Sequence, residues 1–166
     1  AAASASDFQI EGSTLTKYRG SDERVTIPDT VEVVGESAFE NNQKVQFVVI
    51  PKSVKRLDAY VFWGCNNLEE VVLGKGLTSV DEYAFSGCTG LKQITIPENV
   101  QSIDAQAFAG CTNLTDIYIP DTVTSIADDA FLNCDNVTIH ADEGSVAEKF
   151  AQKLAEQTSQ SRLVTA

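Results

Sequence analysis

The four cysteines are the most reactive side chains in the sequence, and each follows the previous one at the same spacing. Three arrangements suit such a series: buried free thiols, disulfide bonds or a metal site. Zinc sites show Cys-x-x-Cys pairs with histidines, and the sequence has no such pair. A disulfide needs Cβ atoms roughly 3.5–4.5 Å apart, somewhat closer than the roughly 4.8 Å between stacked strands. We therefore predict buried thiols, with disulfides as the alternative and no metal. The series is Cys65, Cys88, Cys111 and Cys134.

Aspartates recur with the same period at Asp58, Asp81 and Asp104. A carboxylate at the start of a helical turn accepts hydrogen bonds from free N–H groups and faces the positive end of the helix dipole. The row could also hold a cation between repeats, but capping explains it without one. The single histidine, His140, is predicted to be an exposed surface residue rather than a general base. No nucleophile, phosphate-binding or dinucleotide motif is present. We therefore predict neither an enzyme nor a cofactor.

The elements that must position these residues follow from five phenylalanines with the same period as the cysteines. A fixed period in this range indicates stacked supersecondary units, each unable to bury its apolar face alone. Other positions in every repeat stay apolar in the same phase, and they are predicted to form one continuous core. The phenylalanines, each 23 positions after the last, are Phe39, Phe62, Phe85, Phe108 and Phe131.

Each repeat is predicted to contain one short parallel strand followed by one helical turn. Alternating apolar residues from Leu68 to Leu73 are typical of a strand with one buried face. A proline follows the strand in most repeats, where pairing must stop, but Gly74 takes its place in the third copy. Two residues after each phenylalanine, glycine or asparagine indicates a left-handed residue that ends the helical turn. These residues are Asn41, Gly64, Gly87, Gly110 and Asn133.

These features together resemble one known family. The segment from Leu91 to Cys111 combines Leu-x-x-Ile-x-Ile-Pro, Val-x-x-Ile, Ala-Phe and Gly-Cys. This combination resembles the short leucine-rich repeat of the BspA type, also called the Treponema type, over about residues 25–140. The resemblance implies an α/β repeat solenoid from a secreted or cell-surface protein of bacteria or protists that acts in adhesion or host recognition. It implies no catalytic residues.

Both ends depart from the repeat and are predicted to be caps. Residues 1–6 are predicted to be disordered, residues 7–24 to form a β-hairpin cap, and residues 25–140 to form about five repeats. Residues 141–166 are predicted to form a helical cap, with an amphipathic helix beginning near Ser145. Arg162-Leu163-Val164 predicts a last short strand. The absence of methionine predicts a processed form or a fragment.

Charge and hydropathy exclude several partners. The chain has 12 Lys plus Arg against 24 Asp plus Glu, a net charge of −12, and shows no basic stripe. Nucleic acid and anionic lipid are therefore not expected as partners. No apolar run approaches the roughly 18 residues that span a bilayer, so membrane insertion is not predicted. The acidity suits a secreted or cell-surface protein, which we expect to be a monomer.

Binding is predicted to use side chains that the repeat leaves free. Alternate strand residues point away from the core and line up across repeats, and exposed apolar groups among them often mark interaction sites. Valine and aromatic residues also suit strands for structural reasons alone. Trp63 occupies a variable position that is predicted to be exposed on the helical side. The candidate partner-binding residues are Phe47, Val49, Glu70, Val72, Gln93, Thr95, Asp116, Tyr118 and Trp63.

Two functions fit this pattern. The first is a recognition or adhesion module whose sheet surface binds a protein or a glycan, such as a host molecule. The second is a structural spacer within a larger surface protein, with no ligand of its own. The regular positions define the scaffold and do not identify a ligand.

Overall fold

The computed structural model describes residues 4–157 and 162–165. Within these residues the chain winds into a β solenoid that ends in one α-helix. The first described element is a 3₁₀ turn at Ala5–Asp7, within and just after the segment predicted to be disordered. The remaining elements are β1 (Phe8–Glu11), β2 (Thr14–Tyr18), β3 (Arg24–Thr26), β4 (Val33–Val34), β5 (Phe47–Val49), β6 (Arg56–Leu57), β7 (Glu70–Val72), β8 (Ser79–Val80), β9 (Gln93–Thr95), β10 (Ser102–Ile103), β11 (Asp116–Ile119), β12 (Ser125–Ile126), β13 (Thr138–Ala141), α1 (Val146–Gln157) and β14 (Arg162–Thr165).

Each full coil of the solenoid contributes two strands, not the single strand that the sequence predicts. Coils 1 to 6 are numbered here by their first strands, β3, β5, β7, β9, β11 and β13. The described residues form three sheets. One sheet has the order β1-β2-β4-β6-β8-β10-β12. The coils' first strands divide between a sheet of order β3-β5-β7 and a sheet of order β14-β13-β11-β9, in which β14 is an additional strand. Apart from the β1–β2 hairpin, neighbouring strands pair in parallel.

The predicted helical turn of each repeat is not confirmed, because a different hydrogen-bond pattern occupies that segment. In coil 3, the amides of Tyr83, Phe85 and Gly87 donate to carbonyls of coil 4. The intervening amides donate three residues back, as Ala84 does to the carbonyl of Asp81. An α-helix directs its interior N–H groups along its own axis, so it could not join successive coils in this way. The surface built from these segments, residues 35–42, 58–65, 81–88, 104–111 and 127–134, is called the turn face.

Left-handed residues make the turns of this face. The glycines and asparagines predicted to be left-handed have positive φ, from 59° at Asn41 to 76° at Gly87. The predicted left-handed conformation is confirmed, but the end of a helical turn at these residues is not. The sequence does not reveal the second left-handed position, which holds Tyr60 and Tyr83 at φ 63° and 58°. Residues other than glycine seldom adopt this backbone conformation. At these positions the hydrogen bonds between coils hold it.

The core is a stack of aromatic rings. Phe39, Phe62, Phe85 and Phe108 are fully buried and Phe131 nearly so, as the repeat predicts. From Phe62 onward, consecutive phenylalanine rings lie 5.3–5.4 Å apart, within 10° of parallel. Stacks at this distance, offset rather than eclipsed, are favourable for aromatic pairs. The period therefore has a direct physical cause, since each ring needs a matching ring in the next coil.

The caps continue the stack at both ends. Tyr18 of β2 lies 4.9 Å from Phe39, and Phe8 of β1 lies 5.2 Å from Tyr18. At the other end Phe150 of α1 contacts Phe131 with a centroid distance of 5.9 Å. The ring stack thus extends beyond the phenylalanines of the repeats, into the β1–β2 hairpin at one end and into α1 at the other.

The C-terminal elements follow the last repeat without a break. The spacing from Ile117 to its partner Ile139 is one residue shorter than the repeat, yet β13 continues through Ala141 and pairs with β11. The hydroxyl of Ser145 accepts a hydrogen bond from the amide of Glu148 at 3.1 Å, which caps α1 where the sequence predicts. The backbone of β14 pairs in parallel with β13, so the predicted last strand is confirmed.

Candidate partner-binding surface

The structure places eight of the nine candidate residues on one surface, the outer side of β5, β7, β9 and β11, called here the sheet face. Their exposure differs along the solenoid. Glu70, Val72, Gln93, Thr95 and Tyr118 are exposed, whereas Phe47, Val49 and Asp116 are half-buried. Among the large apolar residues of the sheet face, Val72 and Tyr118 stand out, at 45% and 41% exposed.

Phe47 has a packing partner on the sheet face. The guanidinium carbon of Arg24 lies 4.4 Å from the centre of its ring, on the neighbouring strand β3. A cation over an aromatic face contributes roughly 0.5–1 kcal/mol at exposed sites. Phe47 is therefore half-buried beside a basic side chain of the neighbouring strand.

The sheet face is interrupted between coils 3 and 4. The amide of Lys92 is 3.5 Å from the carbonyl of Glu69, whereas the next coil makes the corresponding bond, from Thr115 to Lys92, at 2.9 Å. Within the described residues β7 and β9 belong to different sheets. The two strands stand slightly apart and leave an open groove between them.

Two glycines explain why the groove forms at this place. Coil 3 follows its strand with Gly74-Lys75-Gly76, where coil 4 has Pro97-Glu98-Asn99. A Cβ atom at Gly74 would lie 2.5 Å from the carbonyl oxygen of Ile50, and one at Gly76 would lie 2.1 Å from that of Lys52. The loop of coil 3 thus lies closer to coil 2 than any other residue type permits, and the space opens on the side of coil 4.

The groove has a volume of about 700 Å³. Directly before β7 and β9, the side chains of Glu69 and Lys92 form an ion pair with N and O 3.1 Å apart. At the other end of these strands the side-chain amide of Asn99 donates to the Lys75 carbonyl at 2.6 Å. The floor is apolar and the rim carries two carboxylates and one ammonium group. The lining residues are Glu70, Val71, Val72, Leu73, Lys75, Gln93, Ile94, Thr95, Ile96, Pro97, Glu98, Asn99 and Tyr118.

His140 of β13 lies beside the sheet face and is half-buried, not exposed as the sequence predicts. Its ring stacks on Tyr118 with centroids 4.2 Å apart, and its Nε2 lies 2.8 Å from Oδ1 of Asp116. Thr115 donates to the other carboxylate oxygen at 2.9 Å. The hydrogen bonds from His140 and Thr115 lower the pKa of Asp116. The partner residues of His140 lie one coil back along the chain, so local sequence does not reveal the group.

The cysteines lie under the turn face and form no site. All four are free and buried, so the predicted row of buried thiols is confirmed. Each sulfur donates to the carbonyl of a phenylalanine in the preceding coil, at 2.8–3.2 Å. Burial raises the pKa of Cys65 to about 12 and raises that of Cys88 well above its ordinary value. The thiols of Cys65 and Cys88 are therefore protonated and unreactive in the folded protein.

Two aspartates of the predicted row, Asp58 and Asp81, bond to neighbouring side chains rather than to the start of a helical turn. Asp58 pairs with Nε of Arg56, and Asp81 accepts a hydrogen bond from Ser79 at 2.8 Å. Burial, together with the charges of Asp104 and Asp58, raises the pKa of Asp81 against the effect of that hydrogen bond. Capping of a helical turn is not confirmed. No group of three or more ligating side chains suited to a metal occurs among the described residues.

Trp63 lies on the turn face, 37% exposed. It flanks a shallow trough that runs over Ser86 and Ala109 to the exposed Leu132. Glycine backbones line the bottom of this trough, and its lining residues carry no charge. Trp63 is therefore a second exposed aromatic residue, on the opposite side from Tyr118.

Helix α1, the single α-helix in the described part of the chain, is too short and too polar to cross a lipid bilayer. Stacked coils with two short strands each and a continuous apolar core define a repeat solenoid. Residues 13–138 match the family model of the BspA type leucine rich repeat region, in six copies. The chain belongs to the BspA-type leucine-rich repeat family.

Solved bacterial structures share the fold. A leucine rich cell surface protein from Faecalibacterium prausnitzii is 33% identical with a TM-score of 0.77, over 81% of this chain and 36% of that one. The Treponema pallidum leucine rich repeat protein is 27% identical with a TM-score of 0.81, over 84% and 71%. The pneumococcal vaccine antigen PcpA, 16% identical, has a TM-score of 0.74 over 96% and 45%, and shows the fold alone. No curated protein matches the chain. The chain thus spans little more than a third of the F. prausnitzii protein.

Proposed function

We propose that this chain is a recognition module of a secreted or cell-surface protein, that its sheet face binds a protein or glycan, and that it is not an enzyme. The observation that carries the proposal is the groove between β7 and β9, flanked by the exposed Val72 and Tyr118. Phe47, the other aromatic residue of this face, is half-buried beside Arg24. Exposed apolar groups beside a concave surface are typical of a binding site.

The compartment is proposed from the family and one relative. The F. prausnitzii structure is described as a cell surface protein, and at 33% identity it shares more than the bare fold with this chain. The net charge of −12 agrees with this compartment, because it favours solubility and disfavours contact with anionic lipid. A protein or glycan outside the cell, such as a host molecule, is therefore the proposed class of partner.

The test is binding of the whole chain to arrays of glycans and extracellular proteins. Tyr118→Ala should weaken the signal of any partner of the sheet face, with an unchanged unfolding midpoint. Trp63→Ala is the matched control, since it removes an aromatic residue of similar exposure from the turn face. Equal loss of binding in both variants, or loss only in the Trp63 variant, would contradict the proposal.

A structural spacer is the second candidate, and the aromatic stack favours it. Rings from both caps continue the stack of the five phenylalanines, so the core is continuous from Phe8 to Phe150. Such a rod could hold another domain away from a surface without any ligand. If neither array yields a partner and neither variant changes attachment of cells that display the chain, the spacer is the better description.

A further inference from the structure

We propose that the groove between β7 and β9 is a carbohydrate subsite that takes one neutral pyranose ring. The sugar would stack on Tyr118, while Gln93 and Thr95 bond its hydroxyl groups. This inference rests on the proposed function, because it names the ligand class of the same sheet face.

The ring of Tyr118 has one open face, and it faces the groove. His140 covers the other face, since the two rings are 17° from parallel and belong to paired positions of β13 and β11. The opposite neighbour of Tyr118, in β9, is the short side chain of Thr95. An aromatic face carries negative charge, and the C–H groups on one side of a pyranose are weakly positive, so the two surfaces attract. Tyr118 therefore forms one wall of a site for a flat, C–H-rich ligand.

The groups beside this wall suit hydroxyls. Gln93 presents an amide, which both donates and accepts, and Thr95 presents a hydroxyl group that does the same. Both residues are exposed and line the groove, and within the described part of the chain neither side chain has a hydrogen-bond partner. Sugar hydroxyls also donate and accept, so they can satisfy both side chains at once.

The charge of the groove favours a neutral ligand. The lining carries two carboxylates, Glu70 and Glu98, and one ammonium group, Lys75. Its carboxylates therefore outnumber its ammonium groups by one. Within the described residues none of the three side chains is held in an ion pair. A sulfated or phosphorylated glycan would be repelled by the net charge of −12, so a neutral sugar is favoured over an acidic one.

The size of the groove favours a small ligand over a peptide strand. Its volume of about 700 Å³ lies within the range of small-molecule sites, roughly 300–1,000 Å³. A peptide strand between β7 and β9 would need an additional strand spacing, roughly 4.8 Å. Pairing of β8 with β10 and the stack of Phe85 on Phe108 hold the two coils together and prevent that separation.

The experiment is an NMR titration of the ¹⁵N-labelled chain with methyl β-galactoside, methyl α-mannoside and methyl β-N-acetylglucosaminide. At least one glycoside should shift the amide signals of Leu73, Thr95 and Tyr118 while leaving those of the turn face unchanged. Tyr118→Ala should weaken that binding about tenfold or more, and Tyr118→Phe, which keeps the ring face, should change it no more than about twofold. Leu132→Ala, at an exposed apolar residue of the turn face, serves as the control with unchanged affinity.

The carbohydrate proposal is overturned if none of the three glycosides shifts these amides, or if Tyr118→Ala binds as tightly as the original chain. If a protein on the array binds through Tyr118 while the glycosides do not, recognition by the sheet face stands and the carbohydrate subsite does not. If no array partner depends on Tyr118 either, both proposals fail.

Discussion

Coils 3 and 4 meet in two different ways on the two faces of the solenoid. On the turn face, amides of coil 3 donate to coil 4 at 3.0 Å from Tyr83, 2.7 Å from Phe85 and 2.8 Å from Gly87. On the sheet face the same coils are not joined by a strand ladder. The stacked core fixes the spacing of the coils, and two glycines in one loop change it on one face only. Local irregularity can thus create a groove without disturbing the repeat.

Phe85→Ala should have the largest effect, because it removes a ring from the stack that joins coils 3 and 4. Loss of a fully buried phenylalanine costs roughly 3–5 kcal/mol, and in a solenoid the damage spreads to adjacent coils. Urea unfolding followed by circular dichroism would measure the loss, with Tyr118→Ala as the exposed aromatic control. A midpoint close to that of the original chain would mean that the ring stack does not hold the coils together.

Cysteine ionisation should make the turn face sensitive to alkaline pH. The pKa of Cys65 rises from 9.0 to about 12 on folding, so its contribution is complete below pH 9 and is lost as pH rises toward 12. In that interval the free energy of unfolding should fall by about 1.4 kcal/mol per pH unit for this thiol.

Cys65→Ala isolates this effect, because the variant lacks one titrating thiol but keeps every other group. Unfolding in urea at a series of pH values should give a shallower alkaline decline for the variant. Parallel declines would show that Cys65 ionises as easily in the folded chain as in the unfolded one.

The double variant Gly74→Pro with Gly76→Asn should remove the difference between the two faces. It gives coil 3 the Pro-x-Asn sequence of coil 4, so the loop should move away from coil 2 and narrow the groove. A compatible proline also restricts the unfolded chain, which stabilises by roughly 0.4–1 kcal/mol. A crystal structure of the variant would show whether β7 and β9 pair. Destabilisation with an unchanged groove would contradict the role of the two glycines.

His140→Ala should have the smallest effect, confined to the sheet face. Without the hydrogen bond from His140, the lowered pKa of Asp116 should return toward its ordinary value. A depressed carboxyl pKa contributes stability that is present above the unfolded value and is lost as pH falls, so the variant should be less sensitive to acid. An NMR titration of the Asp116 carboxyl carbon would test this, with Lys153→Ala, which breaks an ion pair to Asp128, as control. An unchanged titration of Asp116 would assign its low pKa to Thr115 alone.

The sequence predicts those features of the fold that repeat in phase. The phenylalanine stack, the buried thiols and the left-handed glycines and asparagines are all visible, because each needs one residue type at one spacing. The second strand of each coil and the absence of a helical turn are not visible. Both depend on amides that reach carbonyls of a neighbouring coil, as from Phe85 to Ala107, and any residue except proline can supply these groups.

The candidate surface could be predicted only in outline. The strand alternation indicates which side chains lie outside the core, yet it gives no sign that Arg24 covers Phe47 or that His140 stacks on Tyr118. The second of these contacts depends on the register of β13, where the spacing is one residue shorter than the repeat. One residue in the sequence indicated an irregularity at the groove, namely Gly74 in the place of a proline. The volume of the groove could not be predicted, because it depends on the distance between coils 3 and 4.

The rings at the two ends of the aromatic stack have a consequence for how such a chain can change in length. Phe8 and Phe150 lie beyond the last ring of the repeats at each end, so a coil cannot be added outside them without replacing a cap. A duplicated repeat can enter between any two interior coils and extend the rod by one ring spacing, 5.3 Å between Phe62 and Phe85. Insertion between coils 3 and 4 would divide the groove, whereas insertion between coils 4 and 5 would separate Tyr118 from Thr95. The length of the solenoid and the shape of its groove can therefore change independently, because they depend on insertions between different pairs of coils.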